Sequence, residues 1–121
     1  MKPLSILIVE DETVVAFELR LWLKRIGFPE VHIACTGAQA IEFAEKILLD
    51  VILMDIRLKG QMTGIEAAEK IHKFRAIPIV YISGNTDLSS DPRLAATEPI
   101  AFLPKPISDD DLLTILTRMA S

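Results

Sequence analysis

The chain has 121 residues, 50% of them apolar and 25% charged, which suits one domain with a core to bury. No apolar run approaches the roughly 20 residues of a membrane span, and the first run ends in acids where a secretory leader would carry small residues. A formal net charge of -4 disfavours nucleic acid as a direct partner, and the single Cys35 excludes an internal disulfide and fits a reducing, cytoplasmic setting.

In chain order, LSILIVE (4–10) reads as a strand, and residues 12–26 read as a helix with Val15, Leu19, Trp22, Leu23 and Ile26 at helical spacing before Gly27 stops it. VHIAC (31–35) is a second strand. Thr36 caps a second helix, GAQAIEFAEKIL, with Ile41, Ala44 and Leu48 expected on one inward face. DVILMD (50–55) is a third strand, followed by Thr63 capping GIEAAEKIHKF, with Glu66 completing a capping box. PIVYIS (78–83) is a fourth strand, and residues 85–98 open with a polar, mobile loop before a short helix from Asp91 to Thr97 with Pro92 first. IAFLP (100–104) is a fifth strand. Ser108 then caps DDDLLTILTRMA, whose acids sit where a helix dipole favours them.

The first, third and fourth runs are nearly continuous in apolar residues, as strands buried on both faces are. Strand and helix alternate five times, which predicts a parallel sheet covered by helices on both sides. The doubly wound order 2-1-3-4-5, a three-layer α/β sandwich, would put ligands at the carboxyl ends of strands 1 and 3. At those ends stand Glu10 and Asp11 after the first strand, Asp55 at the third, Ser83 at the fourth and Lys105 after the fifth. Carboxylates gathered at about 5 Å repel by roughly 3 kcal/mol per pair at an effective dielectric near 20. They call for a cation, and oxygen-only ligands select a hard one such as Mg²⁺. With an ammonium and a hydroxyl opposite, the set has the parts that phosphoryl transfer to a carboxylate uses.

Each residue also has a plain structural role open to it. Asp11 is a ready helix cap; Asp55 and Ser83 suit turns; Lys105 before Pro106 suits a solvated loop; Phe102 suits a core. Their joint placement at four strand ends is what carries the functional reading.

As a set, ILIVEDE, VILMDIRL, IVYISG and AFLPKPI resemble the receiver domain of two-component response regulators, the CheY-like family, across all of residues 1–121 as a single domain without an output domain. The resemblance implies that Asp55 is the phospho-acceptor, served by a histidine kinase or a histidine phosphotransfer protein. It implies that Glu10, Asp11, Asp55 and the backbone carbonyl of Arg57 hold Mg²⁺ or Mn²⁺, and that Ser83 and Lys105 bind phosphoryl oxygens. Ser83 and Phe102 would form the switch, altering how the face of the fourth helix, fifth strand and fifth helix meets an output domain, a target protein or a second copy. Such a domain catalyses only its own phosphorylation and dephosphorylation.

The sequence departs from the family pattern in three places. The loop IRLKGQMTG is one residue longer than usual, with Lys59 where Pro is common; Arg57 and Asn85 occupy positions that tune the access of water; and Phe102 lacks a tyrosine hydroxyl. Three rival functions follow from the same residues. A flavodoxin-like phosphate loop is opposed by the acids of VEDETVV. A phosphatase of the aspartyl-phosphate type is opposed by Arg57, which stands where a second Asp is needed. A receiver-like module that binds partners without phosphorylation is opposed by the intact set of Asp11, Asp55, Ser83 and Lys105.

Overall fold

The computed structural model describes residues 2–121. Strands and helices alternate: β1 (Ser5–Val9), α1 (Thr13–Arg25), β2 (Glu30–Ala34), α2 (Gly37–Lys46), β3 (Val51–Asp55), α3 (Gly64–Ile71), β4 (Ile79–Ser83), α4 (Pro92–Ala96), β5 (Ala101–Pro104) and α5 (Asp109–Ala120). The five strands form one parallel sheet in the order β2-β1-β3-β4-β5. The expected architecture is therefore the observed one.

Every residue of β1, β3 and β4 is buried, which is why those runs carry no polar alternation. On one side of the sheet Leu7, Ile52, Met54 and Tyr81 pack against Ala40 and Ala44 of α2, Ala68 and Ile71 of α3 and Leu94 of α4. On the other, Ile6, Ile8, Leu53 and Val80 pack against Ala16 and Leu23 of α1 and Leu112 and Leu116 of α5. Burying one such leucine contributes about 1.5–3 kcal/mol. The edges of the sheet are β2, which carries exposed Glu30, and the four-residue β5, which ends in Pro104.

Side chains set the helix starts as the sequence predicts. Thr36 accepts from the Gln39 amide and Ser108 from that of Asp111, and Pro92 stands in the first turn of α4. Asp91, which the sequence did not mark as a cap, accepts from the Arg93 amide. Thr63 and Glu66 form the full capping box of α3. Past α1, Gly27 turns the chain at φ 114°, a left-handed conformation that glycine adopts without steric cost.

Three local expectations are corrected. α2 ends at Lys46, because Ile47 is extended at φ -124°, ψ 139°; Leu48 is then 78% exposed and Leu49 takes the buried position. α1 centres its buried face on Ala16 and Leu23, so Val15 lies at the flank and is 37% exposed. The polar stretch after β4 is a built 3₁₀ turn, Thr86–Ser90, which Asn85 caps by accepting from the Asp87 amide at 3.1 Å. A short polar side chain has satisfied backbone groups that a loose loop would leave to water.

A buried pair ties α4 to the sheet. Tyr81 is fully buried, with its hydroxyl 2.7 Å from Thr97 Oγ1, and that oxygen donates to the Leu94 carbonyl at 2.6 Å. A carbonyl can only accept, so the threonine proton is committed there and the tyrosine is the donor to Thr97. Burial pushes the Tyr81 phenol pKa above its ordinary value.

Candidate functional site

The carboxyl ends of the parallel strands share one rim, so the order of the sheet decides which side chains meet. β1 and β3 are neighbours, and β4 follows β3. The backbone of Glu10 continues the ladder past β1, donating to the Ala34 carbonyl at 3.0 Å. Glu10 is 5% exposed, Asp55 6% and Ser83 2%, while Asp11 is half-buried. Glu10, Asp11 and Asp55 each place a carboxylate oxygen within 4.8 Å of the others.

Lys105 reaches into this group from beyond β5. Its ammonium donates to Asp55 Oδ2 at 2.7 Å and to Glu10 Oε1 at 3.0 Å. Charge-assisted bonds of this length are the strong class. Burial alone pulls the Lys105 pKa down, but the hydrogen bonds and charges of Asp55 and Glu10 outweigh it and hold the pKa above the ordinary lysine value. The remaining oxygens are only lightly committed. Glu10 Oε2 accepts from the Glu12 amide at 3.2 Å, and Asp55 Oδ1 from the Arg57 amide at 3.3 Å.

The plain roles divide accordingly. Asp55 does make a small turn with Arg57, and Ser83 Oγ accepts from the Asn85 amide at 3.1 Å. Asp11 does not cap α1: the cap position is Glu12, and no side chain bonds there. Turn formation does not require three acids on one rim, and one ammonium cannot neutralise them. At 4.8 Å each pair repels by ~3.5 kcal/mol at an effective dielectric near 20. The surplus of negative charge and the oxygen-only donor set fit a hard divalent cation.

Beside the acids opens a cleft of about 620 Å³, lined by Asp11, Asp55, Arg57, Ser83 and Lys105, with Glu12, Gly84, Asn85 and Thr86 completing it. The structure thus brings Glu10, Asp11, Asp55, Ser83 and Lys105 to one rim, with Arg57 at the mouth. Phe102 stands apart, one position along the sheet. It pairs with Tyr81 in the β4–β5 register, is half-buried and packs on the core under α2, α3 and α4.

Three residues were given no role at the site from the sequence. Glu12, the last of the three acids after β1, and Thr86, which no motif marks, line the cleft. Gly64 opens α3, and a Cβ built there would lie 2.1 Å from the Asp55 carbonyl oxygen. A glycine at the start of a helix, where Thr63 already supplies the cap, was the available signal for a close backbone approach.

Comparison with known proteins gives one consistent picture. The profile of the response regulator receiver domain matches residues 6–117. The transcriptional regulatory protein PdtaR of Mycobacterium tuberculosis is 32% identical over 119 residues, covering 98% of this chain and 58% of that protein. A protein-glutamate methylesterase/protein-glutamine glutaminase of Pyrococcus horikoshii is 33% identical over 114 residues, covering 88% of this chain and 30% of that protein. The chain therefore spans little more than half, or less, of these curated relatives. Among solved structures, a CheY-like receiver domain protein of Methanospirillum hungatei superposes with a TM-score of 0.87 at 29% identity, covering 97% of this chain and 93% of that one. TrrA of Thermotoga maritima, in complex with Mg²⁺-BeF, superposes at 0.85 with 25% identity, covering 98% and 99%.

Proposed function

Because the chain belongs to the response regulator receiver domain family, we propose that Asp55 is its phospho-acceptor and that the rim around it carries out the transfer. The observation that supports this most is the contact of Lys105 with Asp55 at 2.7 Å beside two further acids. A histidine kinase or histidine phosphotransfer protein presents a phosphohistidine to the cleft. Asp55 attacks phosphorus, the P–N bond breaks, and the imidazole leaves with the bonding electrons and takes a proton.

Each of the chain's own residues has a task in that step. Lys105 holds Asp55 in the rim and offers its ammonium to the phosphoryl oxygens. Ser83 is fixed through its oxygen by the Asn85 amide, so its proton is available to a second phosphoryl oxygen. Asp11, Asp55 and the Arg57 carbonyl are the residues that would hold Mg²⁺ or Mn²⁺, with Glu10 directly or through water. The bound cation would neutralise charge that develops between the acceptor and the incoming phosphate. Transfer of this kind depends on positioning and charge stabilisation, which the buried rim supplies.

The readout proposed is a change at the face of α4, β5 and α5. Ser83 drawn toward the phosphoryl group leaves room that Phe102 fills, and the change rests on packing because Phe102 has no hydroxyl. Ile100 is 47% exposed at that face and could join a target, an output domain or a second copy. The domain acts in the cytoplasm, does not contact nucleic acid itself and performs no turnover beyond its own phosphorylation and dephosphorylation.

Incubation with acetyl phosphate and Mg²⁺, read by intact mass, tests the proposal. One phosphoryl adduct is expected on the wild type and none on Asp55→Asn or after chelation. An adduct on the Asn variant would remove Asp55 from the role.

A further inference from the structure

A second cleft, of about 230 Å³, lies on the other side of the acid rim, between α1 and the start of α5. Val15, Leu19 and Trp22 form one wall, Leu53 and Ile82 the floor and Ile107 the opposite wall. Cavities of about 150 Å³ with such lining take a benzene ring. The apolar lining alone would accept any small ring or branched chain. The charges around it are selective.

Glu10, Asp55 and Lys105 close the inner end, and exposed Glu18 and Asp109 stand at the mouth. Four carboxylates therefore face the cleft against one ammonium, and that ammonium is already held by Asp55 and Glu10. A low-dielectric cleft with one sign of charge concentrates ligands of the other sign. The indole of Trp22 adds a π-face that also favours a cation.

From this charge pattern and shape we infer that the cleft between α1 and α5 binds a small amphipathic cation, an aryl or branched alkyl group bearing an ammonium. The apolar body lies against Trp22 and Leu19, and the charge lies between Glu18 and Asp109. The cleft opens on the α1 and α5 side of the rim, whereas the phosphoryl cleft opens on the Ser83 side; the two meet at Asp55 and Lys105.

The test uses the chain's single tryptophan, which is Trp22. Its fluorescence is followed while phenethylamine, 2-phenylethanol and 3-phenylpropionate are titrated in turn at neutral pH, in chelator and again in Mg²⁺. Phenethylamine should give a saturable change, with affinity about fivefold or more above the alcohol, the order expected from one or two partly exposed charge contacts, and the carboxylate should give none. Glu18→Gln and Asp109→Asn, both at exposed positions, should each weaken the amine and leave the alcohol unchanged. Val15→Phe, which fills the cleft from its flank, should abolish both responses; its melting curve reports whether it folds, and the two polar variants stand independently if it does not. The inference is overturned by no saturable response to the amine, by equal affinity for amine and alcohol, or by indifference to both polar substitutions.

Discussion

Replacing Lys105 by Met keeps the length and apolar stem of the side chain but removes the ammonium from Asp55 and Glu10. The two buried carboxylates would be left facing each other and Asp11. Breaking a buried ion pair from one side costs about 3–5 kcal/mol. The lysine itself is 32% exposed, so water screens part of that loss and about 2–3 kcal/mol is expected at neutral pH. Urea denaturation of both proteins in chelator measures it, as a shift in midpoint at unchanged slope. Two further readings come from the same proteins. Mg²⁺ should stabilise the Met variant more than the wild type, because a cation no longer competes with an ammonium for the same oxygens. The folded lysine has a raised pKa, so its contribution is complete below about pH 10.5 and is lost as pH climbs through the folded value. The gap between the proteins should then hold across neutral pH and close in strong alkali. A loss below about 0.5 kcal/mol, the scatter of ordinary surface changes, together with equal stabilisation of both proteins by Mg²⁺, would refute the reasoning.

Gly64→Ala should destabilise by about 1–3 kcal/mol, the range of overpacking, and slow phosphorylation by acetyl phosphate, because its Cβ lies on the Asp55 carbonyl; an unchanged melt and rate would contradict this. Tyr81 is the only tyrosine, so absorbance of the phenolate follows it alone. It should titrate above its ordinary value in the folded protein, and stability should fall as pH rises past about 10, where only the unfolded chain ionises. Tyr81→Phe should cost about 1 kcal/mol in thermal or urea melts through the lost bond to Thr97. Arg57 lines the phosphoryl cleft, and Arg57→Ala should shorten the life of the phosphorylated protein by about three- to tenfold, the equivalent of about 1 kcal/mol; decay measured by mass that matches the wild type would clear Arg57 of that role.

The strands were legible because burial on both faces leaves β1, β3 and β4 without polar interruptions, a pattern that water-facing segments cannot keep. The caps were legible because Thr36, Thr63 and Ser108 act on amides three residues away. What depends on distant partners was not. Leu48 continues the period of α2, and only the turn at Ile47 sends it to solvent. Glu10 and Asp11 look alike in sequence, yet the fold buries the first against Lys105, 95 residues away, and leaves the second half-exposed at the cleft. The rim could be named from the strand ends, but the division of labour among its acids required the sheet to be assembled. The bond between Tyr81 and Thr97 was hidden for the same reason, since neither residue belongs to a local motif.

The two borders of the sheet bear on how copies of this chain meet. A bare strand border is a template on which another chain can extend the sheet, and long flat borders invite aggregation. Here one border stops after four residues at Pro104, which has no amide hydrogen to give, and the other begins with the charged Glu30, held by Ser5 and His32. Strand addition is discouraged on both flanks. Any contact between copies would therefore fall on helical surfaces, where contacts form and release without recruiting backbone into a continuous ribbon, and a crowded solution of the protein should stay free of fibrils.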